Sequence, residues 1–130
     1  SSFLGKKVVL YFYPKDNTPG CTAEACSLRD NYEELLKKGF AVLGVSPDSV
    51  ASHGKFAAKY ELPFPLIADP EKKILTEYGA YGEKTMYGKK VTGVIRTTFI
   101  IDEKGIIEKV IKKVDTKAHA PQIFKLYENV

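Results

Sequence analysis

Val8-Val9-Leu10-Tyr11-Phe12-Tyr13, followed by Pro14-Lys15-Asp16-Asn17-Thr18-Pro19-Gly20 and then Cys21, is the stretch on which the fold of this chain turns. Six consecutive apolar residues, β-branched and aromatic, read as a strand buried on both faces. Such a strand belongs in the middle of a sheet covered by helices. Pro14 stops it, and Lys15 to Gly20 make a polar loop with two breakers, Pro19 and Gly20. A helical pattern begins at Cys21, with apolar residues at Ala25, Leu28, Tyr32, Leu35 and Leu36; Lys37-Lys38 suit its C-terminus and Gly39 its C′ position.

Working outward, Phe40 to Val45 is a second apolar strand. Ser46-Pro47-Asp48 provides a cap and a proline for a helix running to Tyr60. Leu66-Ile67-Ala68 is a short strand, and Asp69-Pro70-Glu71 opens a further helix that ends at Gly79. Residues 79–92, rich in Gly, Lys and Tyr, read as a long loop. Val94 to Ile101 and Ile106 to Ile111 form a hairpin about the turn Asp102-Glu103-Lys104-Gly105, and Ala118 to Tyr127 a last helix. The order β-α-β-α-β-α-β-β-α predicts an α/β fold: parallel pairing early, an antiparallel hairpin late, and one mixed central sheet flanked by helices.

At 130 residues the chain has the size of one domain with one core. Its 44% hydrophobic and 28% charged residues are those of a globular protein rather than a disordered one. The longest apolar run, Val8 to Tyr13, is too short to cross a bilayer, so no membrane role is read. No basic segment leading into an apolar one opens the chain, so no secretion signal is read either. The charge of +4 comes from scattered pairs, Lys6-Lys7, Lys37-Lys38, Lys72-Lys73, Lys89-Lys90 and Lys112-Lys113, near the ends of predicted elements. A nucleic-acid surface concentrates such charge on one face, and none is expected here.

Two cysteines are too few for a secreted disulfide framework; in a chain without a secretion signal such a pair is catalytic, redox-active or buried, which points to the cytoplasm. Cys21 stands at a helix start directly after a central strand. Free N–H groups and the positive end of the helix dipole favour an anion there, and a thiolate is the nucleophilic form of cysteine. Cys26 comes five residues later, which is not the C-x-x-C spacing. Neither His53 nor His119 has metal-ligand spacing, so no metal is expected, and each is read as a surface or capping residue.

Pro14 to Cys21 resembles the P-x-x-x-[TS]-x-x-C signature of peroxiredoxins, and the continuation T-P-G-C-T-A-E-A-C, then Ser27-Leu28-Arg29-Asp30, is similar to the bacterioferritin comigratory protein, or peroxiredoxin Q, branch. Leu10 to Pro14, Gly44 to Asp48, Phe64-Pro65-Leu66 and Val94 to Phe99 match as well. The resemblance implies a thioredoxin-like fold, in agreement with the element order. It also implies a further segment, including a short hairpin, before Ser2-Phe3-Leu4-Gly5-Lys6, so a truncated start is expected.

It further implies a thiol peroxidase without a cofactor. Cys21 would attack hydrogen peroxide or an organic hydroperoxide, Cys26 would close a disulfide within the chain, and thioredoxin or a similar dithiol would reduce it. A monomer or weak homodimer is expected. Thr18 would set its hydroxyl against the peroxide, and Arg96, read as a charge inside an apolar strand, would stabilise thiolate and peroxide. Glu24, one turn beyond Cys21, would orient Arg96, and Pro14 would shield the sulfur from water. Plainer readings stand beside each: a loop hydrogen bond for Thr18, an edge-strand cation for Arg96, a first-turn acid for Glu24, a strand terminator for Pro14. The rival for the whole chain is a thiol–disulfide oxidoreductase on the same fold. The missing C-x-x-C and the presence of Thr18 and Arg96 weigh against it.

Overall fold

A computed structural model describes residues 5–86 and 88–127; the expected truncation concerns Ser1 to Leu4 and what would precede them, which lie outside the described residues. The elements are β1 (Lys7–Phe12), α1 (Pro19–Asp30), α2 (Tyr32–Lys37), β2 (Phe40–Ser46), α3 (Val50–Tyr60), β3 (Leu66–Ala68), α4 (Lys73–Glu77), β4 (Tyr81–Met86), β5 (Lys89–Val94), β6 (Thr97–Ile101), β7 (Ile107–Ile111) and α5 (His119–Lys125). Five strands form the central sheet in the order β3-β2-β1-β6-β7. β1 runs parallel to β2 and antiparallel to β6; β3 extends the parallel side and β7 the antiparallel side. This is the mixed sheet of the thioredoxin-like fold.

β1 is central because all of it after Lys7 shuns water: Val9, Tyr11 and Phe12 are fully buried, as is Tyr13 just beyond the strand. Strand alternation sends its residues to two separate cores. Val9, Tyr11 and Tyr13 pack with Cys21, Ala25 and Leu28 of α1, Phe56 of α3, and Ala120 and Ile123 of α5. Val8, Leu10 and Phe12 pack with Leu75, Ala80, Val94 and Phe99 on the other face. The first core therefore contains the sulfur of Cys21.

The structure departs from the sequence pattern at several points. Residues 79–92 are not a loop: they supply β4 and most of β5, an antiparallel ribbon outside the central sheet. Val94 to Ile101 is not one strand, since β5 ends at Val94 and β6 starts at Thr97; Arg96 lies in the link and not within a strand. The first helix breaks at Asn31, whose side-chain amide donates to the Ser27 carbonyl at 2.8 Å, and a new short helix follows. Ser49, not Ser46, caps α3, its hydroxyl accepting from Ser52 N at 3.1 Å. α4 starts only at Lys73, yet Asp69 still serves it from outside, its carboxylate accepting from Lys73 N and Leu75 N. Gly39 does stand at C′ after α2, with φ of 85°.

Gly44 on β2 has a specific task. A Cβ there would lie 2.9 Å from the ring and hydroxyl of Tyr11 and 2.8 Å from Leu66 Cδ2. Leu66 can rotate away, but Tyr11 is fully buried and stacked on Tyr13 with centroids 5.4 Å apart. Gly44→Ala is therefore expected to destabilise the fold by about 1–3 kcal/mol, the usual cost of overpacking a core. A lowered urea midpoint at unchanged slope would show it, and an unchanged midpoint would refute it.

Candidate active site

Thr18 is the N-cap of α1, Pro19 and Gly20 its first two residues and Cys21 the third, so the Cys21 N–H is one of the first-turn groups that no helical carbonyl reaches. The side chain turns inward and is 1% exposed. Glu24, three residues on, lies on the same helix face and is fully buried. Arg96 joins the two: Nη2 donates to Cys21 Sγ at 3.1 Å and Nη1 to Glu24 Oε1 at 2.6 Å. Gly20 leaves room for this, because a Cβ at that position would already touch Nη2 at 3.4 Å.

The link that carries Arg96 is pinned on both sides. Ile95 N donates to the Ala80 carbonyl at 2.6 Å, and the Thr97 hydroxyl donates to the Ile95 carbonyl at 3.0 Å. Thus the β4–β5 ribbon, invisible in the sequence pattern, delivers the cation. Burial alone would lower the Arg96 pKa, but Glu24 and Cys21 outweigh it and hold the guanidinium above its ordinary value. For Glu24, burial dominates and pushes the carboxyl up to about 7 against the opposing pull of Arg96.

The Thr18 hydroxyl donates to the Lys15 carbonyl at 2.9 Å, which leaves its oxygen lone pairs as acceptors. Pro14 is half-buried just beyond β1. Cys26 is partly exposed on the same unbroken helix as Cys21, and both thiols are free.

Two buried networks had no local signal in the sequence. Asp16, in the loop before Cys21, accepts from the Tyr13 hydroxyl at 2.6 Å and from the Ser52 hydroxyl and His53 Nδ1 at 2.7 Å each. Its backbone N–H donates to Asp48, which also accepts from Ser46. His53 is thus no surface residue: its Nε2 meets the Ile67 carbonyl at 3.1 Å, and the ring is 4% exposed. Asp16, Asp48 and His53 place one ligand-type atom each within 4.8 Å of one another, a grouping their spacing did not announce. Hydrogen bonds within the protein already occupy those atoms.

His119, also read as a surface or capping residue, is fully buried. Its Nε2 lies 2.8 Å from the Thr98 hydroxyl and 3.5 Å from Glu24 Oε2, and its Nδ1 faces Gln122 Oε1 at 2.9 Å. Burial lowers its pKa to about 4.

A thiol held at a helix start by a guanidinium, itself clamped by a buried carboxylate, is a site for displacement chemistry at sulfur. The profile of the AhpC/TSA family matches residues 1–110. The chain belongs to the AhpC/TSA family. It is 50% identical over 119 residues to a putative peroxiredoxin bcp of Coxiella burnetii, covering 92% of this chain and 79% of that protein. Identity to the peroxiredoxin Bcp of Bacillus subtilis is 42% over 130 residues, all of this chain and 83% of the relative. A solved structure of the Xanthomonas campestris bacterioferritin comigratory protein, studied for its alkyl peroxide reduction activity, superposes with a TM-score of 0.90 at 38% identity, covering 98% of this chain and 82% of that one. The chain is a peroxiredoxin of the Bcp branch and a thiol-dependent peroxidase.

Within this family member Arg96 makes two bonds in a fixed fork, which lysine cannot reproduce. Arg96→Lys keeps the charge but frees either Cys21 or Glu24. Losing one hydrogen bond to a charged group, about 1.5–3 kcal/mol, should slow peroxide attack by about tenfold to a hundredfold at neutral pH. Stopped-flow kinetics with hydrogen peroxide measures this, and a wild-type rate would deny Arg96 its role.

Proposed function

We propose that Cys21 is the attacking sulfur and Cys26 the resolving one, and that the chain works as one thioredoxin-like peroxiredoxin domain. The observation that carries this is the Arg96 fork, which sets a cation on the one sulfur at the helix start. The Cys21 thiolate attacks one peroxide oxygen; the O–O bond breaks, and the other oxygen leaves and takes up a proton as water or an alcohol. Cys21 becomes a sulfenic acid. Thr18, whose own O–H is spent on Lys15, faces the peroxide as an acceptor for its O–H. Arg96 donors meet the charge that develops on the leaving oxygen, Glu24 holds Arg96 in place, and Pro14 screens the sulfur.

Cys26 then attacks the sulfenic sulfur, expels hydroxide and forms the intramolecular disulfide. The helix does not permit this as it stands. Residues five apart in an α-helix have Cα atoms roughly 8.7 Å apart, whereas a disulfide tolerates about 4.4–6.8 Å. The first turns of α1 must therefore unwind in every cycle. A helix end behind Pro19 and Gly20 is an inexpensive place for such opening. Thioredoxin or a similar dithiol in the cytoplasm is the proposed reductant, hydrogen peroxide and organic hydroperoxides the substrates, and a monomer or weak homodimer the working form.

Two measurements test this assignment. Cys21→Ser should consume no peroxide, while Cys26→Ser should consume one equivalent and stop at a sulfenic acid on Cys21, trapped with a dimedone probe. Loss of even that first equivalent in a folded Cys26→Ser protein would reverse the roles. In the oxidised wild type, amide exchange across residues 21–30 should quicken while residues 8–12 stay protected. An oxidised protein with α1 intact and no internal disulfide would favour an intermolecular bond instead.

A further inference from the structure

Glu24 Oε2 is one of two side-chain atoms, among the described residues, that are fully buried without a hydrogen-bond partner; Tyr11 Oη is the other. His119 Nε2, on α5, lies 3.5 Å from Glu24 Oε2. Whether a hydrogen bond can form depends on which ring nitrogen carries the proton, and the surroundings settle it. Gln122 has its amide orientation fixed by two backbone groups: Nε2 donates to the Lys113 carbonyl at 2.8 Å, and Oε1 accepts from Asp115 N at 2.9 Å. The oxygen is therefore the atom facing His119 Nδ1, and Nδ1 must carry the hydrogen. Burial keeps this ring neutral, so Nε2 is a bare lone pair, to which the Thr98 hydroxyl donates.

An ionised Glu24 would thus aim a buried oxygen at a lone pair, with no hydrogen-bond partner among the described residues. A protonated Glu24 has an O–H to offer Nε2 in competition with the Thr98 hydroxyl, while Oε1 still accepts from Arg96. Glu24 and Ser27 also tie α1 to neighbouring elements: Ser27 Oγ accepts from Ala120 N at 3.1 Å at the start of α5. Both residues lie in or beside the segment that must open for Cys26 to reach Cys21.

We propose that the Glu24–His119 contact is a proton-operated latch on α1, closed while Glu24 holds its proton and released when Glu24 ionises, with His119 as the positioning residue. The proposal rests on the assignment of Cys26 as the resolving cysteine and adds a control to its step. The charged and titratable groups around Glu24 are Arg96 on the β5–β6 link, Cys21 on its own helix, Tyr11 on β1 beneath it, His119 on α5, and Asp115 beyond His119. Of these, Arg96 is permanently charged and His119 and Tyr11 stay neutral across the neutral range, while Glu24 is raised into it.

The sign follows from linkage. Closed, the Glu24 carboxyl ionises near pH 7; in water its ordinary value is 4.5. The closed helix binds the proton more tightly, so its advantage is complete below the lower value and is lost as pH rises through the upper one. Between pH 6 and pH 8 the opening equilibrium should gain about tenfold. In the opened helix Glu24 reaches water and Cys26 comes within range of Cys21.

Amide exchange on the reduced protein tests the latch without any disulfide chemistry. After correction for intrinsic rates, protection across residues 21–30 should fall about tenfold from pH 6 to pH 8, while β1 stays protected. Glu24→Gln replaces the O–H with an amide N–H facing Nε2 and keeps a carbonyl for Arg96, so its protection should stay at the low-pH level throughout. Any slope that survives in that variant comes from a group other than Glu24. Thr98→Val, nearly isosteric, removes the hydroxyl competing for Nε2 and should move the fall to higher pH; this arm holds even if Glu24→Gln fails to fold. A flat wild-type profile, an equal slope in Glu24→Gln or an unmoved midpoint in Thr98→Val would overturn the latch. Mass analysis of the oxidised wild type separates the two proposals: absence of an internal disulfide would sink the role of Cys26 alone, and a normal disulfide with flat profiles the latch alone.

Discussion

Everything distinctive in this molecule is arranged around one guanidinium between a sulfur and a carboxylate. Arg96 is partly buried, and a charge in that position requires opposite partners on both of its faces. Glu24 is fully buried, which would be untenable without Arg96. Cys21 receives what the pair leaves over: a cation already oriented, with one N–H still free to point at sulfur. The three groups come from one helix and one interstrand link. The geometry therefore survives only if α1 keeps its angle to β1 and the β4–β5 ribbon keeps its grip on Ala80. The extra ribbon, which looks like an ornament beside the central sheet, is the lever that sets the active-site cation.

Helix α1 answers to two conflicting demands. Peroxide attack requires a wound first turn, because the anion-favouring N–H groups exist only there. The proposed Cys21–Cys26 disulfide requires that the same turn be lost. The local chemistry is suited to such a compromise. Thr18 makes no side-chain cap bond to the helix, its hydroxyl being turned back to Lys15, so α1 lacks the stabilisation such a bond usually adds. At its other end the helix stops at Asn31 and does not run on into α2, so the proposed unwinding involves a helix of only twelve residues.

What the sequence made legible follows from what is local. The buried run Val8 to Tyr13, the breakers behind it and the helix spacing of Ala25 and Leu28 are short-range patterns, and they placed β1, α1, β2 and the thioredoxin-like sheet where the structure has them. Cys21, Glu24 and Arg96 were singled out from one signature and one charge in apolar company, and they do converge. The ribbon was missed because its strands are exposed: from Lys89 to Thr92 every residue faces water, so no apolar alternation betrays them. Arg96 looked like a strand residue because apolar neighbours on both sides belong to two different sheets. His53 and His119 were misjudged for a related reason. A histidine becomes a core residue only through its partners, and Asp16 and Ile67, or Thr98 and Glu24, are 14 to 95 positions away in the chain.

The two networks that sequence patterns did not reveal divide the labour around Cys21. On the loop side, Asp16 is held by Tyr13, Ser52, His53 and Asp48 N-terminal to the sulfur, with each bond at 2.6 or 2.7 Å. Asp16, Asp48 and Tyr13 bind the loop to β1 and to the start of α3, elements with no part in the unwinding. On the helix side, apart from the 2.6 Å bond of Arg96 to Glu24, Glu24 and Ser27 are held by single, longer contacts to α5. Cys21 therefore sits at the boundary between a fixed segment and a yielding one. A sulfur that must present one trajectory to a peroxide gains from the fixed side, because misplacement by an ångström is costly in displacement chemistry. A sulfur that must then meet a second cysteine gains from the yielding side. Had the stiff network lain C-terminal to Cys21 and the soft one N-terminal, the loop carrying Thr18 would wander while the helix stayed shut, and neither step would proceed well. The order of stiff before soft along the chain suits the two steps proposed for Cys21.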